Sequence, residues 1–322
     1  MRAIQVREFG GPEVLVLEDV AEPVAGPEEL VIEMSAVDVI YLHTLLRSGW
    51  GQDFFPLDLP YVPGGGGAGT VRAVGAGVDS AWIGRRVLAR ASTGYAEKVV
   101  ANVESVVEIP DDVDDQRAGA VLHDGATAIS LAGKATIAAG DWVLVAAAAG
   151  GAGSILVQLA RDAGARVVAA ARGERKLALA RDLGAEATVD YSQDGWVEDV
   201  RAATGGTGVD VVFDGAGGKL GGQAFETAAK GGRFVTYGTA SGDFTDIDPK
   251  LAEERQVTVH NALGDGPPEH ATVRAHLTKT LELTAHGRIR PAIGATYPLE
   301  RARDAHAALA ERNTVGKSLL LP

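Results

Sequence analysis

The stretch Asp141–Arg172, DWVLVAAAAGGAGSILVQLARDAGARVVAAAR, decides the fold class. Its first run, Trp142 to Ala147, is apolar without polar alternation, as a strand covered on both faces requires. The run enters a small-residue turn holding Gly150, Gly151 and Gly153, and a helical stretch follows with Ile155, Leu156 and Leu159 on its apolar face. A second apolar run, RVVAAA, closes the unit. Ala148, Gly150 and Gly153 read as the three small positions of the G-x-G-x-x-G fingerprint, with Ala at the first. The second position admits a pyrophosphate to backbone N–H groups, and the third lets helix and sheet pack closely. Gly150, Gly151, Ala152 and Gly153 are therefore expected to hold a dinucleotide; the alternative is a glycine turn that serves packing alone.

Working outward, apolar strands alternate with Ala-rich helical stretches from about residue 116 to residue 262, the texture of a parallel α/β sheet. Before it, short runs such as VLVLEDV, ELVIEMSAV and EKVVAN, separated by Gly and Pro, read as an all-β segment. After it come a helical stretch from Thr272 and a terminal strand, KSLLLP, with the Pro267–Pro268 pair marking the crossing. The α/β unit thus reads as an insertion in an interrupted β domain.

The end of the second strand bears on the choice of cofactor. NAD enzymes usually place Asp or Glu there for the ribose 2′-hydroxyl. Here the position falls near Ala171 and Arg172, and Arg172, Arg175 and Lys176 could attract a 2′-phosphate. Glu174 is the rival acid, read as a helix-dipole partner. These cations also suit a solvated helix face. GVDVVFDGAGG and GGRFVTYGTASG each end a strand in a small-residue turn, which makes Asp214, Gly215, Gly238 and Thr239 candidates for the nicotinamide side or, equally, ordinary turns.

With 30 basic and 43 acidic residues the formal net charge is −13, and no basic block stands out to grip nucleic acid or an anionic bilayer. The absence of cysteine excludes disulfides, a thiolate nucleophile and sulfur-ligated zinc. The first residues lack an apolar signal core and no run is long enough to span a bilayer, so a cytoplasmic protein is expected.

One stretch resists this reading: LPYVPGGGGAGTV, Leu59–Val71, with Gly64 to Gly67 in a row. It is explained by resemblance. GGPEVLVLEDVAEP, LPYVPGGGGAGTV, GYAEKV, GATAISLAGKA, the Asp141–Arg172 core, GGRFVTYG and the closing VGKSLLLP, in this order, resemble the medium-chain dehydrogenase/reductase superfamily, in its zinc-free quinone oxidoreductase (zeta-crystallin-like) branch. The resemblance implies an α/β protein in which a GroES-like β-rich catalytic domain, formed by residues 1–117 and 264–322, surrounds an inserted Rossmann doubly wound parallel sheet, 118–263, with the active site in the cleft between them. Zinc enzymes of this superfamily carry a His-Glu pair where Gly65 and Gly66 stand, and a cysteine ligand where Ile40 stands. The metal ligands are missing, and the glycine run is expected to be a flexible turn. Quinone reductases usually keep an acid at the position of Gly66, often Asn at that of Ile40, and an acid at that of His43; all three differ here.

By the same resemblance, Lys176, Tyr191 and Arg312 would surround the adenosine 2′-phosphate of NADPH, and Thr127 would lie near the nicotinamide. Tyr41 is the candidate hydrogen-bond donor to the acceptor, with Trp50 and His43 in the substrate cleft. The function implied is NADPH-dependent reduction of quinones without zinc. The alternatives are enone or alkenal reduction, and a non-catalytic NADPH-binding protein of sensor or crystallin type. A homodimer is implied, joined along the Rossmann sheet edge through QVTVHNAL, Gln256–Leu263.

Overall fold

The computed structural model describes every residue except Phe54, Leu263, Gly264, Asp265 and Pro267. The boundary expected between 263 and 264, the last residue of QVTVHNAL and the first proline of the Pro–Pro pair lie outside the described residues. In chain order come β1 (Arg2–Gln5), β2 (Val16–Asp19), β3 (Glu29–Val39), α1 (Tyr41–Arg47), β4 (Gly66–Val74), β5 (Arg86–Arg90), β6 (Lys98–Asn102) and β7 (Val106–Glu108). Helices α2 (Asp115–Ala120) and α3 (Leu122–Ala135) precede the alternating part: β8 (Trp142–Ala146), α4 (Gly151–Asp162), β9 (Arg166–Ala171), α5 (Glu174–Asp182), β10 (Ala187–Asp190), α6 (Trp196–Ala203), β11 (Val209–Asp214), α7 (Gly218–Glu226), β12 (Ala228–Thr236), α8 (Pro249–Arg255) and β13 (Thr258–Asn261). The chain ends with α9 (His270–Ala285), β14 (Ile293–Pro298), α10 (Ala302–Ala310) and β15 (Lys317–Leu321).

Met1–Ala126 and Glu269–Pro322 form one compact unit, and Thr127–Pro268 form another. In the first, the described strands order as β14-β15-β3-β4-β5-β7, with β6 also paired to β3 and β1-β2 as a separate ribbon. Strand β3 is the spine, bonded antiparallel to β4, β6 and β15. Its Leu30, Ile32, Met34, Val37 and Val39 pack with Val71, Val87, Val99 and Leu320 in one core. Helix α1 interrupts the stretch read as all-β, because VIYLHTLLRSG buries His43, Thr44 and Arg47 on one helical face, where a strand would alternate.

The glycine run is not a flexible turn. Gly66 opens β4 opposite Arg90 of β5, and Gly69 lies opposite Met34 of β3. A Cβ at Gly66, Gly67 or Gly69 would overlap the carbonyl oxygens of Ala89, Ala36 and Glu33 respectively. Gly66 also has φ of +104°. Bare backbone is required because neighbouring chain presses on it, and in the sequence such glycines are indistinguishable from those of a loop.

The second unit is a parallel sheet in the order β10-β9-β8-β11-β12-β13. The order reverses between β8 and β9 on one side and β11 to β13 on the other, which is the doubly wound arrangement. Leu144, Val168, Val212 and Phe234 are fully buried, as strands covered by helices on both faces demand. Strand β13 is the outer strand beside β12, with Val259 38% exposed while Val257, just before it, is buried.

Candidate functional site

The first part of the site is the turn between β8 and α4. Ala147, with φ of +61°, swings the chain off the strand, so the left-handed position is one residue before Ala148. Gly150 is the N-cap of α4 and no side chain caps this end. The first N–H groups of the helix and the positive end of its dipole therefore face outward, an arrangement suited to an anion. The glycines divide the work. A Cβ on Gly153 would overlap the Ala147 carbonyl oxygen, whereas one on Gly150 would have that oxygen 3.4 Å away and no nearer neighbour. Gly153 closes helix onto strand, and Gly150 borders open space. Gly151 is half-buried and Ala152 is buried beside them.

Beyond β9, Arg172 is exposed and Lys176 half-buried on the first turns of α5. The acids nearby are engaged: Glu174 pairs with Arg181. Asp190, at the end of β10, accepts from the Gly173 N–H at 3.0 Å and from the Ser192 N–H and hydroxyl at 2.9 and 2.6 Å. Partial burial opposes the Asp190 charge, but these bonds outweigh it and lower its pKa. Tyr191 follows it, its ring edge-on to Trp196 with centroids 6.4 Å apart.

Asp214, at the end of β11, is fully buried. One carboxylate oxygen accepts from the Ala216 and Gly217 N–H groups at 3.0 and 2.9 Å, the other from the Thr236 and Thr245 hydroxyls at 3.2 and 2.5 Å. Burial raises its pKa against those bonds. With its acceptor sites filled, Asp214 ties together the ends of β11 and β12 and the segment after β12. Gly215 and Gly238 bring those ends into backbone contact, since a Cβ on Gly238 would overlap the Gly215 carbonyl oxygen. Thr239 is buried next to them.

The first unit contains a buried polar cluster that the sequence reading did not single out. Asp38, the last residue but one of β3, is completely buried, and its carboxylate meets His123 Nδ1 at 2.9 and 3.0 Å and Lys317 Nζ at 2.9 Å. Lys317, itself 4% exposed, also reaches Asp124 at 2.6 Å. Burial opposes ionisation of Asp38, yet the facing His123 and Lys317 hold its carboxyl far below the ordinary carboxylate range. Burial likewise opposes the charge on Lys317, and Asp124 and Asp38 outweigh it, raising the ammonium pKa.

A second string joins His43 Nδ1, the Tyr95 hydroxyl and His306 Nε2 at 3.2 and 2.8 Å. Burial, with His123 nearby, pushes His43 well below its ordinary value, and burial takes His306 down to about 3. His43 also lines a cavity of about 50 Å3 with Leu46, Leu57, Tyr61, Val62 and Ser92. Burial pushes Tyr61 in its wall up to about 12.

Among the other expected residues, Tyr41 is the first residue of α1, half-buried, and Trp50 follows that helix. Thr127 is exposed on α3, and Arg312 is exposed after α10 with φ of +58°. Thus Gly150 to Gly153, Arg172, Lys176, Tyr191, Asp214, Gly215, Gly238, Thr239 and Thr127 belong to the Thr127–Pro268 unit, while Tyr41, His43, Trp50 and Arg312 belong to the other. Among the described residues no group of three or more His, Cys, Asp or Glu is placed to hold a metal ion.

Comparison with known proteins matches residues 26–111 to the alcohol dehydrogenase GroES-like domain and residues 151–278 to the zinc-binding dehydrogenase family. A quinone oxidoreductase of Pseudomonas aeruginosa is 32% identical over 327 residues, covering 100% of this chain and 99% of the relative. A 2-haloacrylate reductase of Burkholderia is 30% identical, covering 99% and 98%. A mycobacterial protein solved in complex with NADPH superposes with a TM-score of 0.92 at 36% identity, covering 100% of both chains.

Proposed function

The chain belongs to the quinone oxidoreductase branch of the medium-chain dehydrogenase/reductase superfamily, and from that premise we propose that it is an NADPH-dependent, zinc-independent reductase of quinones. The observation that carries the reading is the uncapped start of α4, where Gly150 leaves space at the N–H groups and Gly153 closes helix onto strand. These residues fit a dinucleotide diphosphate. Arg172 and Lys176 are the groups proposed to hold the 2′-phosphate, with Arg312 added by family resemblance and Tyr191 toward the adenine. Gly215, Gly238, Thr239 and Thr127 are proposed for the nicotinamide side. Asp214 acts there by fixing the turn that presents them.

When bound, NADPH supplies a hydride. The donor set argues against zinc, since Ile40, Gly65 and Gly66 offer no ligand atom and the His123 ring occupies the side-chain space at Gly65. A metal-free site suits acceptors that delocalise the charge they gain, as quinones do. Tyr41 is the proposed hydrogen-bond donor to the acceptor oxygen, and Trp50 a stacking surface for a flat ring. The 2-haloacrylate reductase relative favours a second reading, reduction of an activated C=C bond in an enone or alkenal. We further read the protein as a cytoplasmic homodimer joined along β13.

Oxidation of NADPH in the presence of a panel of quinones and enones tests the proposal. Turnover with quinones is expected. NADPH binding without turnover on any acceptor would contradict it and leave a non-catalytic NADPH-binding protein.

A further inference from the structure

Asp38 is ionised within the fold, and an ionised carboxylate only accepts hydrogen bonds. The ring nitrogen that faces it, His123 Nδ1, must therefore carry the hydrogen, which leaves Nε2 as the working atom of the imidazole. Nε2 has no hydrogen-bond partner among the described residues. It is turned toward Gly65, where a Cβ would stand 2.6 Å from it. A histidine oriented by a buried carboxylate, with its other nitrogen left available, is the arrangement of a proton-transfer group. Lys317 holds Asp38 from the other side and is itself braced by Asp124, so the carboxylate cannot swing away.

We propose that His123, positioned by Asp38 and Lys317, delivers the proton that accompanies reduction, and that the enzyme therefore takes enones and alkenals as well as quinones. This inference rests on the reductase reading above. In the step, the acceptor gains a hydride at one end of its conjugated system, and the electron pair of the C=C bond moves to the carbonyl oxygen. Before the step His123 takes a second proton from water on Nε2, and the facing Asp38 carboxylate stabilises the imidazolium. The acceptor oxygen then takes that proton, so the Nε2–H bond breaks, the O–H bond forms, and His123 is left neutral with its hydrogen on Nδ1. The acceptor is reduced by two electrons as NADPH becomes NADP+. A quinone follows the same balance, but its anion is stabilised by the ring and needs the proton less. Asp124, Lys317, Arg90, Tyr95 and His43 are titratable groups around the His123–Asp38 pair, and the His43 ring, in its own buried string, lies with its centroid 6.0 Å from that of His123.

The test compares acceptors. His123→Gln is expected to lower kcat for an enone by about a hundredfold or more, the usual worth of general acid catalysis, with less than about tenfold loss for a quinone. NADPH affinity, read by fluorescence titration, should stay unchanged. Gly65→Ala, whose methyl would stand 2.6 Å from Nε2 and so push the His123 ring out of position, should show the same selective loss and decides the matter if the first variant fails to fold. In the cofactor-free protein, nitrogen-15 NMR should find the hydrogen of His123 on Nδ1. Equal losses for both acceptors, no loss, a wild type that reduces quinones but no enone, or a hydrogen on Nε2 alone would overturn the inference. A wild type that reduces neither acceptor would instead defeat the reductase reading itself.

Discussion

A Cβ added at Gly150 would make only an ordinary contact with the Ala147 carbonyl oxygen at 3.4 Å, whereas one added at Gly66 would overlap the Ala89 backbone. Gly150→Val should therefore fold with stability within about 0.5 kcal/mol of wild type, as exposed substitutions do. It should lose NADPH affinity by about a hundredfold, the worth of two charge-assisted contacts. Gly66→Ala should do the reverse, lowering stability by about 1–3 kcal/mol or more through overpacking. Thermal melts and fluorescence titration of both variants check the contrast. A second residue-scale expectation concerns Lys317, whose removal in Lys317→Met leaves Asp38 buried without its ammonium partner and should cost about 3–5 kcal/mol near neutral pH. The sign follows from the shifts. The lowered Asp38 pKa means its contribution is full above the unfolded carboxylate value, about 4, and is lost as pH falls through the folded value. The raised Lys317 pKa means its contribution is full below about 10 and is lost as pH rises past the folded value. Urea unfolding should thus show the full difference near neutrality and a smaller one in strong acid. This cluster was hard to read in the sequence, because Asp38 and Lys317 are far apart in the chain and each looks like a stray charge in an apolar run. The available signal was that two buried charges of opposite sign on strands require each other.

At the scale of elements, the βαβ pattern around Asp141–Arg172 was legible because a strand covered on both faces and an amphipathic helix differ in period. The glycine run was misread for the opposite reason: close approach by a neighbouring strand leaves no mark in the sequence except the glycine itself. The end of β9 carries a prediction of its own. Arg172 and Lys176 stand there, and the acids Glu174 and Asp190 are taken up by Arg181 and by the Gly173 and Ser192 groups. NADPH should bind at least about tenfold more tightly than NADH, and Lys176→Ala should remove much of the difference, one charge-assisted contact being worth about 1.5–3 kcal/mol. Equal affinity for both cofactors in the wild type would contradict this. Strand β13 carries another, since its outer side has no strand partner among the described residues. Light scattering should give a dimer mass at micromolar concentration, and Val259→Lys should lower it by placing charge on the joining edge.

For the molecule as a whole, the net charge of −13 and the lack of cysteine bounded the chemistry before any element was placed: no basic block stands out to grip a polyanion, and no thiolate is present to bind a metal. The family pattern then supplied the two-part architecture, but it could not supply the cluster at Asp38, His123 and Lys317, which depends on strands brought together only by folding. The account's central claim is reduction by NADPH without a metal. It is tested most directly by the rate of NADPH oxidation with a quinone before and after exhaustive chelation, with elemental analysis of the treated protein. The expected result is an unchanged kcat in protein that contains no zinc; loss of turnover on chelation, restored by stoichiometric zinc, would contradict the account.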